Sequence, residues 1–180
     1  MKASGFVPAD QFFYLKTGII MSSIIVGVAD MKVSDNPDIT LVTYSLGSCI
    51  GIVVHDSVAR VGGILHFMLP ESKIDFAKAR TNPFMFADTG IPLLFRSAYK
   101  LGAKKQRMKV VVIGGSQILD QNGFFNIGKR NYLATKKILW KNNVLIDYED
   151  IGGSFNRTSK LAVKNGKIII KVSGKGEIET

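Results

Sequence analysis

The sequence predicts an α+β fold of sandwich-like β-sheets, mostly antiparallel, with covering helices. Short apolar runs bounded by turn residues recur along most of the 180 residues. Two longer segments, near 88–101 and 130–141, carry helical spacing instead. Hairpin-length loops join several consecutive runs, which favours antiparallel neighbours.

Residues 1–23 read as an N-terminal extension. Phe6, Phe12, Phe13, Tyr14 and Leu15 are apolar, but their spacing commits to neither helix nor strand. Residues 24–180 are expected to form one domain, a length that buries a core without disulfides. A first strand is predicted over 24–31, followed by a turn at Asp35-Asn36-Pro37-Asp38. Strands over 39–44, 49–55 and 60–68 come next, the last two separated by Asp56-Ser57-Val58-Ala59. A helix capped by Asp88 or Thr89, with Pro92 in its first turn, ends at Gly102. Residues 108–113 form a buried strand entering Gly114-Gly115, and 130–141 a second helix. Strands over 144–151, 159–163 and 166–172 complete the set, with an Asn165-Gly166 hairpin signal before the last.

Composition narrows the function classes. The apolar fraction is 46% and the charged fraction 21%, a globular mix. A single cysteine excludes an intramolecular disulfide and fits a reducing compartment. The apolar stretch 18–28 is shorter than the roughly 20 residues a membrane helix needs. It also lacks the flanks of a signal peptide, so a cytoplasmic protein without membrane insertion is expected. The net charge of +10 is spread in ones and twos without a nucleic-acid-binding signature. An acidic protein partner is therefore preferred over nucleic acid.

The chemistry-bearing residues cluster around Cys49. It lies in Leu46-Gly47-Ser48-Cys49-Ile50-Gly51, a glycine-flanked turn entering a strand. His66 follows in Gly62-Gly63-Ile64-Leu65-His66-Phe67. If 49–55 and 60–68 pair as a hairpin, Cys49 and His66 meet at one end, as a cysteine nucleophile and its base would. Gly47 would permit the turn, and the amides of Ser48 and Cys49 would face a bound carbonyl oxygen as an oxyanion hole. Gly47 and Ser48 are thus candidate substrate-binding residues. Spacing alone leaves open that Cys49 is a small buried apolar residue and His66 a core histidine. Thr43, Ser45 and Ser48 are the hydroxyls near enough to orient the imidazole, Thr43 from the incoming strand. His55 falls at the far end of the hairpin and reads as structural. Two histidines and one cysteine give a metal site little to build on, and no cofactor motif is present.

These motifs resemble the signature of the chemoreceptor glutamine deamidases, the CheD family. The likeness runs through residues 43–51 and 62–70, then Asp88-Thr89-Gly90-Ile91-Pro92, Gly114-Gly115-Ser116, Asn126 to Asn131 and Asp150-Ile151-Gly152-Gly153. It implies a protein-glutamine deamidase acting on methyl-accepting chemotaxis receptors through a cysteine thioester. It also implies a fold similar to bacterial toxin deamidases, and for some members a regulating CheC-type phosphatase. The family's cysteine, histidine and threonine triad falls on Cys49, His66 and Thr43. A different class of function, a non-catalytic adaptor that docks receptors or a phosphatase through the same cleft, is the alternative.

Overall fold

The computed structural model describes residues 12–14, 20–117 and 125–180. Its strands divide between two sheets, and the apolar side chains explain the division. A six-stranded sheet runs in the order β1 (Phe12–Tyr14), β2 (Ile20–Ile25), β4 (Ile39–Leu46), β9 (Arg157–Ala162), β10 (Ile168–Val172), β11 (Gly176–Glu179). A five-stranded sheet runs β3 (Asp30–Ser34), β6 (Val61–Phe67), β5 (Ile50–Asp56), β7 (Met108–Gly114), β8 (Tyr148–Ile151). Every pairing is antiparallel except β2 with β4 and β7 with β8. The fold is thus mixed α+β with mostly antiparallel sheets.

The central strand β5 is buried at every position, and alternation sends its side chains into two cores. Val53 joins Ile64, Val111 and Ile113 against Leu41, Leu161, Ile168 and Ile170 of the other sheet. Ile50, Ile52 and Val54 face the opposite way, onto helix α2 (Ala87–Lys100) and Leu139 of helix α3 (Ile127–Lys141). The layers are therefore sheet, sheet and helices. A short helix α1 (Phe76–Thr81), capped by the Asp75 carboxylate accepting from the Lys78 amide, precedes α2.

Several expectations shift. The apolar run 24–31 is not one strand: β2 ends at Ile25 and β3 begins at Asp30, in the other sheet. Ala29, at φ 55°, turns the chain between them. Strands Phe12–Tyr14 and Ile20–Ile25 add to the first sheet, so residue 24 falls inside a strand rather than at an element boundary. Residues 1–11 and 15–19, with Phe6 and Leu15, lie outside the described residues. Helix α2 starts earlier than expected and has no side-chain cap, and Pro92 lies in its second turn. Asp88 instead accepts hydrogen bonds from the Ser72 amide and hydroxyl. Residues 144–147 are loop, leaving β8 only four residues, and β11 follows β10 unanticipated.

Candidate active site

Two sheets meet at the end of β4, and the site is built there. Thr43 and Leu46 are both buried although three residues apart, because the β4–β9 register shifts between them. This β-bulge puts Tyr44 and Ser45 into solvent, and Ser45 takes φ 56°. The positive φ that lets the chain turn therefore belongs to Ser45, not to Gly47 as the sequence suggested. Beyond the bulge, Gly47, Ser48 and Cys49 carry the chain from the first sheet into β5 of the second. A Cβ on Gly51 would meet the Leu46 side chain at 2.9 Å, so a larger residue there would make that buried leucine shift.

His66 pairs with Gly51 in the β5–β6 ladder, so Cys49, two residues before Gly51, shares its sheet face. His66 is fully buried, and Cys49 is half-buried against the inter-sheet core. The sequence-predicted hairpin is thus the element that brings the thiol and the imidazole to one face.

The imidazole is oriented from the opposite sheet. The Thr43 hydroxyl donates to the Val26 carbonyl at 2.9 Å. Its only proton is thereby used, so at the 2.8 Å contact with His66 Nδ1 it is the acceptor. Nδ1 therefore carries the ring proton, and Nε2 presents a bare lone pair. Nε2 is buried and has no hydrogen-bond partner, the Cys49 thiol included. Ser159, paired opposite Thr43 on β9, is likewise buried with an unpartnered hydroxyl.

Burial governs both titrating groups. It lowers His66 to about 4, because an imidazolium would sit without solvent. Burial raises the Cys49 thiol, which its own backbone amide offsets only in part. Thiol and imidazole are both neutral at pH 7. The pair is a neutral base beside a neutral acid rather than a standing ion pair.

The backbone of the cysteine loop is held from three sides. The Gly47 carbonyl accepts from the Ser116 amide and the Cys49 carbonyl from the Gly115 amide, both at 2.8 Å. The Ser48 carbonyl accepts from Asn131 Nδ2 at 3.0 Å. The same Nδ2 reaches the Met68 carbonyl, two residues past His66, at 2.7 Å. A Cβ on Gly114, at φ 113°, would collide with the Cys49 carbonyl. Gly128 lets α3 come up against the Gly115–Ser116 backbone in the same way.

Sequence reasoning placed Asn131 in a motif without giving it a role. A signal existed: Gly128, Asn131, Thr135 and Leu139 form the buried face of α3, and two of those four are polar. His55 is buried with Nε2 against the Val163 carbonyl at 2.9 Å, a packing position as expected. Ser116 lies behind the loop and accepts from the buried Arg157, whose guanidinium also pairs with the partly buried Asp150 at 2.7 Å. Among the described residues, no group of three or more His, Cys, Asp or Glu side chains is arranged to hold a metal ion. No described helix is long and apolar enough to cross a membrane.

Fold and site together describe an α+β sandwich in which a buried imidazole, bonded to a threonine hydroxyl, and the single thiol lie at the same end of a hairpin. The chain belongs to the CheD family: the model of CheD chemotactic sensory transduction matches residues 68–172. That match begins just after His66, so it does not itself contain Thr43, Cys49 or His66. Relatives extend the likeness. The chain is 53% identical to a probable chemoreceptor glutamine deamidase CheD 1 of Syntrophus aciditrophicus, over 86% of this chain and 96% of that one. It is 48% identical to a protein of the same description, CheD, from Solibacter usitatus, over 86% and 92%. A third, from Syntrophotalea carbinolica, is 40% identical over 87% and 98%. Among solved structures, a Neisseria meningitidis protein overlays with a TM-score of 0.39 and 11% identity, over 73% of this chain and 62% of that one.

Proposed function

We propose that this protein is a protein-glutamine deamidase that converts glutamine side chains of methyl-accepting chemotaxis receptors to glutamate through a thioester on Cys49. The observation that carries the reading is the Thr43–His66 hydrogen bond. It leaves Nε2 unprotonated on the face shared with Cys49. The names of the curated relatives support the substrate class.

The steps follow from the protonation states. His66 Nε2 takes the thiol proton as the sulfur attacks the amide carbon, so thiolate forms only as it is consumed. The C=O π electrons move onto oxygen, and the Cys49 amide, with that of Ser48, faces the developing charge. Gly47 sets where that peptide lies. On collapse the C–N bond breaks, and Nε2–H protonates the departing nitrogen to give ammonia. Water then loses a proton to the freed Nε2 and attacks the thioester carbon. The C–S bond breaks, glutamate forms, and the proton returns to sulfur. Thr43 holds the ring in one tautomer through both halves. No cofactor or metal enters this scheme, and it is suited to the cytoplasmic portion of a receptor. A CheC-type phosphatase belongs to the same reading as a regulating partner.

Ammonia release from a purified receptor cytoplasmic fragment tests the proposal, with the wild-type chain and Cys49→Ala compared. Release by wild type and none by Cys49→Ala is expected. Equal release by both would sink the thioester route. Tight binding without release would favour the adaptor.

A further inference from the structure

The cysteine loop is fixed by its carbonyls, and the three are not held alike. Gly47 and Cys49 are held by backbone amides of Ser116 and Gly115, which the strand end supplies whatever the side chains. The Ser48 carbonyl is held by one side chain, that of Asn131. A planar trans peptide points its C=O and N–H in opposite directions. Fixing the Ser48 carbonyl toward α3 therefore fixes where the Cys49 N–H points, away from α3. That amide lies close enough to the Cys49 sulfur to favour its thiolate.

The Asn131 carboxamide has only one workable orientation. Both of its near partners are carbonyl oxygens, so Nδ2 must face them, and a flip would set Oδ1 against two acceptors. Its Oδ1 is buried without a partner. Asn131 is fully buried, and its backbone carbonyl accepts from the Thr135 hydroxyl one turn on. Leaving a buried acceptor bare is costly. The residue bears that cost while its amino group spans the loop of Cys49 and the strand of His66.

Resting on the deamidase reading, we propose that Asn131 is a positioning residue for acyl transfer. It sets the Ser48–Cys49 peptide plane so that the Cys49 amide meets the developing oxyanion, and it fixes the spacing of the Cys49 loop from the His66 strand. Side chain and substrate do not touch; the effect passes through the peptide.

Asn131→Asp tests this. It keeps the shape but donates no hydrogen bond and sets a carboxylate against two carbonyls. Steady-state deamidation, alkylation of Cys49 by iodoacetamide and thermal melting are measured on the same preparations, with wild type as control. If the oxyanion donor is lost, kcat falls about 10²–10³-fold while KM stays within about threefold of wild type and the alkylation rate falls at least about tenfold less than kcat, by the share the amide gives the thiolate. Alkylation passes through no oxyanion, so a general loosening of the site would move it together with kcat. A folded variant whose kcat stays within about threefold of wild type, or whose alkylation falls in step with kcat, overturns the proposal. If Asn131→Asp does not fold, Asn131→Ser is held to the same criteria. Failure of both to fold overturns it too, making Asn131 a packing residue. An inactive wild type would instead refute the deamidase reading itself.

Discussion

Thr43→Val isolates the tautomer. Valine keeps the β-branched shape that suits a strand and removes the only acceptor for the His66 Nδ1 proton. Burial keeps water from substituting, since Thr43 and His66 are both fully buried. A bare buried donor costs about 1–3 kcal/mol, but the imidazole can escape part of that by moving its proton to Nε2. That escape removes the base. A neutral hydrogen bond contributes a net of about 1 ± 0.5 kcal/mol, and about 1.4 kcal/mol corresponds to a tenfold change in population. The expected fall in kcat is therefore about tenfold, rising toward a hundredfold if the ring also rotates. KM should change little, because Thr43 lies behind the ring. The Val26 carbonyl also loses its donor. Destabilisation of about 1–2 kcal/mol would lower the melting temperature by roughly 3–6 °C in a chain of this size. Ammonia release from a receptor fragment reads kcat, and Thr43→Ser, which restores the hydroxyl, should recover most of it. Unchanged kcat in Thr43→Val, or an equal loss in Thr43→Ser, would refute the tautomer argument.

His66 makes stability pH-dependent in a predictable direction. Its folded value of about 4 lies below the ordinary 6.5, so as pH falls from 6.5 the unfolded chain binds a proton that the folded chain refuses. Stability is then lost on acidification, by about 2 kcal/mol between pH 7 and 4.5. Urea unfolding at the two pH values should give that loss in wild type beyond whatever His66→Gln shows, and equal losses in both would contradict it. Gly114→Ala should both strain the backbone at φ 113° and push on the Cys49 carbonyl. A cost of about 2–3 kcal/mol in unfolding free energy is expected, with activity falling further than stability alone explains. A variant that melts like wild type would show that the strand end tolerates a Cβ.

The hairpin was readable because its logic is local. Two apolar runs and a short loop place Cys49 and His66 at one end, whatever the rest of the fold does. Thr43 was readable only in part. Its inward face depends on the bulge at Tyr44 and Ser45, and nothing in the pattern 39–46 announces a change of parity. The break between β2 and β3 was hidden because an apolar run does not say which sheet it joins, and the chain changes sheets between Ile25 and Asp30. Asn131 acts on Ser48 and Met68, 83 and 63 positions away. No short-range pattern encodes such a contact, only the oddity of a polar residue on a helix's buried face. The glycines at 114 and 128 were visible as glycines, but what they approach, the Cys49 carbonyl and the Gly115–Ser116 backbone, lies far away in sequence or in another element.

Deamidation in ¹⁸O-labelled water tests the central claim most directly. A receptor cytoplasmic fragment incubated with the protein is digested, and its peptides are read by mass spectrometry. A hydrolytic thioester on Cys49 predicts glutamine converted to glutamate with one solvent oxygen incorporated, and no conversion with Cys49→Ala. Intact receptor glutamines after incubation with wild type, or labelled glutamate appearing equally with Cys49→Ala, would contradict it.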